Sequence, residues 1–219
     1  MYCINLKRRP DRRESAQREF TREGLDVEFI DATDGGPSGL RITPSEYGCA
    51  DSHIRIWRDI VAKGHPWGLV FEDDVVLAQG FKDKLDKVLS EAPEGWDIIW
   101  LGHFLRIKGA KFGNLYDARA LGMHAYLISQ SCAKKISVFD SLRYKTAIDN
   151  QLSCWPLFTL CTDEPIADQV HNWSSSDIGK VRTVPFDHYL ELLRKPIICC
   201  LTVLLTILIN YFRSFFISN

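Results

Sequence analysis

Short apolar runs that stop abruptly at polar residues alternate with stretches of helical periodicity along most of this chain. That alternation constrains the fold strongly. A continuous apolar run is buried on both faces, so each strand it predicts needs helices above and below it. Residues 2–6 read as a first strand. Residues 10–23 read as a helix: Pro10 suits a first helical position, Ala16 and Phe20 share a face, and Gly24 is a stop. Residues 27–30 suit a second strand, ending at Asp31. Thr43-Pro44-Ser45-Glu46 is a capping box, and Ala50, Ile54, Trp57 and Val61 follow at helical spacing until Gly64. Residues 67–71 form another apolar run, closed at once by Glu72-Asp73-Asp74. A helix over 81–89, a strand over 97–101, a turn over 109–113, a strand over 123–129 and a helix over 131–139 continue the pattern. The predicted fold class is α/β, with a mainly parallel central sheet flanked by helices and ligands bound at the carboxyl ends of the strands.

The chain has 219 residues and a formal net charge of -1. Its length suits one catalytic domain, or one domain plus a tail. With 25% charged and 46% hydrophobic residues it is not a disordered polymer. Near-neutrality gives no support for non-specific nucleic-acid binding, although Lys7, Arg8, Arg9, Arg12 and Arg13 cluster near the start as a local basic patch. Seven cysteines, an odd number without a C-x-x-C pair, indicate buried reduced thiols rather than a disulfide framework or a zinc ribbon. Met1 runs straight into a strand-like segment, so no secretory signal is expected. The sequence therefore predicts a cytoplasmic protein, or one on the cytoplasmic face of a membrane, rather than one in the secretory lumen. An Asn172-Trp173-Ser174 sequon carries little weight.

Composition changes after Lys195, and residues 196–212 carry no charge. As a helix this segment would be roughly 26 Å long, just short of the ~30 Å hydrocarbon core of a bilayer. Three readings stand: a membrane-associated tail, a core helix of the domain, and an aberrant C-terminus. If the tail inserts, Arg194 and Lys195 before it place the rest of the chain on the cytoplasmic side. The boundaries are a domain over residues 1–190 and a hydrophobic tail over 194–219.

The acidic triplet carries the most chemistry. The apolar run before it anchors the backbone, so its carboxylates project from a rigid edge. Adjacent side chains of an extended segment point opposite ways, so at most two of the three face one ligand. Oxygen-only sites suit hard cations such as magnesium or manganese. Such an ion bridges diphosphate oxygens and offsets charge as a nucleotide leaves. A solvated acidic loop, or capping of the next helix, is the alternative.

The triplet has companions. Ile4-Asn5-Leu6 with Asp11-Arg12-Arg13, Asp31-Ala32-Thr33-Asp34-Gly35, Glu46-Tyr47-Gly48-Cys49 with Ser52, His53 and Trp57, and Asp97 to Gly102 occur in order around it. Tyr126-Leu127-Ile128-Ser129 and Ile148-Asp149-Asn150-Gln151-Leu152 follow. Together these motifs resemble glycosyltransferase family 25, which includes lipopolysaccharide and procollagen galactosyltransferases. The resemblance covers residues 2–180. It implies a GT-A-like nucleotide-sugar-binding fold, a UDP-sugar donor (galactose above others), a divalent metal and inversion at the anomeric carbon. The acceptor it implies is a glycan, a lipid-linked saccharide or a protein.

By resemblance, Asp73 and Asp74 correspond to the metal and diphosphate motif. Glu72 is counted with Asp73 among the donor-binding candidates, and the strand's alternation turns it towards the interior or a supporting partner. Asn5 and Arg8 sit where such folds meet the nucleotide, and Asp31 and Asp34 where they hold uracil or ribose. An inverting transfer needs a carboxylate beside the acceptor hydroxyl. Asp149 is the first candidate and Asp177 the second, with helix capping the plain alternative for Asp149. His171 is a candidate third metal ligand, against a surface-loop histidine. His53 is either a helix-packing histidine bonded to backbone or carboxylate, or a contact to donor or acceptor.

Overall fold

The computed structural model describes residues 1–138 and 146–169. The tail at 194–219 and the Asn172 sequon lie outside the described residues. No helix among the described residues is long and apolar enough to cross a membrane. The elements are β1 (Tyr2–Asn5), α1 (Pro10–Arg22), β2 (Glu28–Asp31), α2 (Pro44–Ala62), β3 (Trp67–Glu72), β4 (Val75–Leu77) and α3 (Phe81–Glu91). There follow β5 (Ile98–Trp100), β6 (Leu105–Phe112), β7 (Leu115–Leu121), β8 (Ala125–Ser129), α4 (Gln130–Ile136), α5 (Ile148–Ser153), β9 (Thr159–Thr162) and β10 (Ala167–Gln169).

Among the described residues, eight strands form one sheet in the order β2-β1-β3-β8-β5-β9-β7-β6, and β10 pairs with β4 in a separate ribbon. β1 is parallel to β2 and β3. β8 is antiparallel to β3 and β5, β9 is parallel to β5, and β7 is antiparallel to both β9 and β6. Six of the eight strands therefore run in one direction, and β8 and β7 run against them. The fold is mixed α/β with a large, mainly parallel sheet, as the alternation predicts.

Alternate residues of the strands feed two cores. Ile4, Val70, Ile98 and Tyr126 pack with Ile54, Trp57 and Ile60 of α2, and α4 and α5 add Ile136 and Leu152. Cys3, Leu69, Phe71 and Ile99 pack on the other face with Phe20 of α1 and Phe81 and Leu85 of α3. Each wholly buried aliphatic or aromatic side chain contributes about 1.5–3 kcal/mol relative to exposure. Strands buried on both faces explain why their sequences read as unbroken apolar runs.

The capping box at the start of α2 forms as expected. Thr43 Oγ1 accepts from the Glu46 amide, and Glu46 Oε2 accepts from the Thr43 amide. Gly48 allows α2 to approach the loop after β2: a Cβ there would lie 2.3 Å from the Thr33 carbonyl oxygen.

The expected turn over 109–113 is displaced. β6 and β7 form a hairpin that turns at Gly113–Asn114, since Phe112 pairs with Leu115. Gly113 has φ 59°, the left-handed geometry such two-residue turns require. Gly109 remains in β6, where the register shifts between Lys108 and Lys111. The glycine there marks a bulge, not the turn.

Candidate active site

β1 pairs with β2 through its connecting helix α1, then lies against β3, so the direction of winding reverses between β1 and β3. Ligands of open α/β sheets bind in the crevice at such a switch point, outside the carboxyl ends of the strands. Asn5 stands opposite Asp31, and Ile4 opposite Glu72, so the ends of β2, β1 and β3 form one polar edge. Asp73 and Asp74 make the turn that follows.

The two-residue period of β3 decides where the acids go. Val70 faces the α2 core and Phe71 the α1 core. Glu72 continues the first parity and Asp73 the second. Asp73 is accordingly buried, at 6% exposure, and its Oδ2 accepts from Asn5 Nδ2 at 2.7 Å across the switch point. Asn5 Nδ2 also donates to the Arg9 carbonyl at 3.1 Å. Arg12, in the first turn of α1, reaches both aspartates: its Nη2 lies 2.9 Å from Asp73 Oδ1 and 2.5 Å from Asp74 Oδ2.

Burial pushes the Asp73 carboxyl up, against the pull of Arg12 and Asn5. Asp74 is pushed up to about 7, by burial and then by the charge of Glu72, which Arg12 only partly offsets. The oxygens of Asp73 and Asp74 are donors of the kind hard divalent cations take, and in this structure Arg12 pairs with both carboxyls.

Glu72 has a different environment. Its Oε1 lies 3.3 Å from His53 Nε2 and 3.8 Å from Cys49 Sγ, both on α2. His53 is fully buried, with Nδ1 2.9 Å from the Tyr126 hydroxyl. That hydroxyl also accepts from Trp57 Nε1 at 2.9 Å. Burial opposes ionisation of Glu72, but the hydrogen bond and charge of His53, with His124 and Arg12, outweigh it and hold the carboxyl below its ordinary range. Gln169 of β10 joins the two sides: its Nε2 donates to Asp74 Oδ1 at 3.2 Å and, more weakly, to Glu72 Oε2 at 3.5 Å.

The other sequence candidates divide. Asp149 lies near this cluster: its pKa is raised, first by burial, with backbone hydrogen bonds opposing and the Glu72 charge adding to the rise. Its Oδ2 accepts from the Gly122 amide at 3.2 Å and its Oδ1 from its neighbour Asn150 at 2.7 Å. The Gly122 bond ties α5 to the segment before β8. Arg8 and Asp34 pair with each other, Nε to Oδ2 at 2.8 Å, and Lys7 lies 3.2 Å from Asp31. Both pairs are solvent-exposed at the rim of the β1–β2 edge. His171 and Asp177 lie outside the described residues. His53 is buried, and of the two packing partners expected for it, backbone or carboxylate, it meets the carboxylate of Glu72.

Sequence reasoning assigned no role to Arg12, Gln169 or Tyr126. Arg12 had a signal, because a cation in the first turn after β1 faces the edge that β1 ends on. Gln169 had none, since its position depends on β10 pairing with β4.

Comparison with known proteins supports the resemblance. Residues 37–111 match the model of glycosyltransferase family 25 (LPS biosynthesis protein). The chain is 36% identical over 125 residues to a glycosyltransferase 25 family member of Aedes aegypti, covering 47% of this chain and 21% of that protein. It is 32% identical over 182 residues to a Bos taurus protein named "Probable inactive glycosyltransferase 25 family member 3", covering 69% of this chain and 31% of the relative. To procollagen galactosyltransferase 2 of Homo sapiens it is 29% identical over 126 residues, covering 47% of this chain and 20% of the relative. The chain thus spans about a fifth to a third of the length of these relatives.

Proposed function

We propose that this chain is a glycosyltransferase that binds a UDP-sugar at the β1–β3 switch point of a GT-A-like fold and transfers the sugar, galactose above others, with inversion. The supporting observation is the Asn5–Asp73 hydrogen bond across that switch point, with Asp74 beside it in a charge-rich setting. Asp73 and Asp74 would hold manganese or magnesium, with His171 a candidate third ligand. A bound divalent ion offsets the charge that develops on the departing diphosphate. Arg12 holds the two aspartates in register and supplies a second positive charge at the same edge. Arg8, Asp31 and Asp34 form the rim on which the nucleoside would lie.

Asp149 is the proposed base for the acceptor hydroxyl, because its burial gives it a higher proton affinity than an ordinary aspartate. Asp177 is the alternative base. The acceptor class is a glycan, a lipid-linked saccharide or a protein. Membrane association through the 194–219 tail, on the cytoplasmic face, belongs to the same proposal.

A second reading has a specific basis. Arg12 already bridges both aspartates, which suits a non-catalytic binding module, and several relatives carry names that include the word inactive. The test is UDP release from a panel of UDP-sugars, with and without manganese, for the full chain and for Asp74→Asn. Metal-dependent release that Asp74→Asn abolishes supports transfer chemistry. Full activity of Asp74→Asn would overturn the role given to the acidic pair. Calorimetric heat with manganese and UDP, but no turnover on any donor, would favour the binding module.

A further inference from the structure

Cys49, His53 and Glu72 make a second donor cluster, on the opposite face of β3 from Asp73. Cys49 and His53 are four residues apart in α2, so they share one side of that helix. Glu72 meets them from the end of β3. One ligand atom from each of the three lies within 4.8 Å of the others. Around a tetrahedral ion with bonds of about 2.0–2.3 Å, neighbouring ligand atoms are separated by roughly 3.3–3.7 Å. The observed 3.3 Å from His53 Nε2 to Glu72 Oε1 and 3.8 Å from Cys49 Sγ to Glu72 Oε1 lie close to that range.

The imidazole is also supported from behind. Its second nitrogen meets the Tyr126 hydroxyl, which Trp57 Nε1 fixes in turn, so the ring is oriented with Nε2 towards Glu72. Metal-bound histidines are held in this way, by a hydrogen bond at the other ring nitrogen. The donor set is sulfur, nitrogen and oxygen. Such a set selects zinc-class ions over magnesium or manganese, the reverse of the oxygen-only pair at Asp73 and Asp74.

We infer that Cys49, His53 and Glu72 bind one zinc-class transition-metal ion through three protein donors, with the fourth position open to water or a ligand. The inference does not depend on the proposed transferase activity, and its test needs no turnover. The full chain, stripped of metal, is titrated with cobalt(II) and followed by absorption, and then with zinc in competition. The expected result is a thiolate-to-cobalt charge-transfer band with the intensity of a tetrahedral site, displaced by zinc.

Cys49→Ser should remove the thiolate band and weaken zinc binding at least about tenfold, and Tyr126→Phe should weaken it about 10–100-fold. His53→Gln gives a second ligand variant should Cys49→Ser fail to fold. Cys154→Ser, at an exposed thiol elsewhere, and Asp74→Asn should leave the band intact. Absence of the band from the native chain, its persistence in Cys49→Ser, or its loss in Asp74→Asn would each overturn the inference.

Discussion

Glu72 and Asp73 are neighbours in the chain but lie on opposite faces of the sheet, in unlike surroundings. On the α1 side, Asp73 and Asp74 share one guanidinium, and burial raises both carboxyls. On the α2 side, Glu72 bonds an imidazole that an aromatic hydroxyl holds in place, and its carboxyl is lowered. The backbone at this strand end is common to both, so the difference comes from what each helix presents. α1 offers a guanidinium at its first turn, whereas α2 offers an imidazole. The first arrangement is an ion-pair network, and the second is a chain of hydrogen bonds from Glu72 through His53 and Tyr126 to Trp57.

The largest effect should come from cutting the shared cation. Arg12, Asp73 and Asp74 have side chains only 16%, 7% and 24% exposed, so the network is mostly withdrawn from water. Removing one partner of a buried ion pair leaves charge uncompensated and costs about 3–5 kcal/mol. Arg12→Ala is therefore expected to lower unfolding stability by about that amount in urea, and saturating manganese should restore part of it. A loss below about 1 kcal/mol would show that the pair behaves as a surface bridge and that the two faces are not so different.

Tyr126→Phe tests the other face. It removes the acceptor of the Trp57 indole N–H and the partner of His53 Nδ1, leaving buried polar groups unmet. Each such group costs about 1–3 kcal/mol. The expected loss is in that range by chemical denaturation, with no recovery on adding manganese. Recovery would mean that both faces respond to one ion.

These two faces also mark how far the sequence could be read. The apolar run before Glu72 and the period of two are local, so the divergence of Glu72 and Asp73 is legible from seven residues. The capping box at Thr43 is equally local. His53 was identifiable as polar on an apolar helix face, but Tyr126, 73 residues away, decides its orientation. The β6–β7 hairpin was missed because Arg106, Lys108 and Lys111 make β6 read as a polar loop, and its bulge breaks the alternation. Asp149 was found as a candidate base, yet its bond to the Gly122 amide depends on a contact across 27 residues. Signals carried within one turn or one strand were visible; partners brought by the sheet were not.

Acidity separates the faces by sign. A carboxyl raised to about 7 keeps its proton in the folded state after the unfolded chain has lost its own near pH 4. Between those values the folded form binds more protons, so stability falls as pH rises, by at most about 1.4 kcal/mol per pH unit for one group. Glu72 acts oppositely: its contribution is present above the ordinary carboxylate value and is lost as pH falls below it. Stability of the metal-free chain should therefore decline between about pH 4 and pH 7, and Asp74→Asn should flatten the upper part of that decline. Manganese should flatten it too, by favouring the ionised pair. An unchanged slope in Asp74→Asn would assign the titration to Asp73 or Asp149, whose carboxyls are also raised.

The smallest effect on stability belongs to the rim, which differs from both faces in being exposed. Arg8 and Asp34 make a two-point contact, Nε to Oδ2 at 2.8 Å and Nη2 to Oδ1 at 3.3 Å, with both side chains about half in solvent. Exposed pairs of this kind contribute about 0.2–1 kcal/mol, and salt weakens them further. Arg8→Ala should barely shift the unfolding midpoint. Under the proposed function it should instead weaken UDP binding by calorimetry, because a guanidinium at the rim meets the nucleotide without being needed by the fold. The two readouts separate a binding role from a packing role at a single residue. Stability and UDP affinity both unchanged would remove Arg8 from the site and confine nucleotide recognition to the buried edge at Asn5 and Asp73.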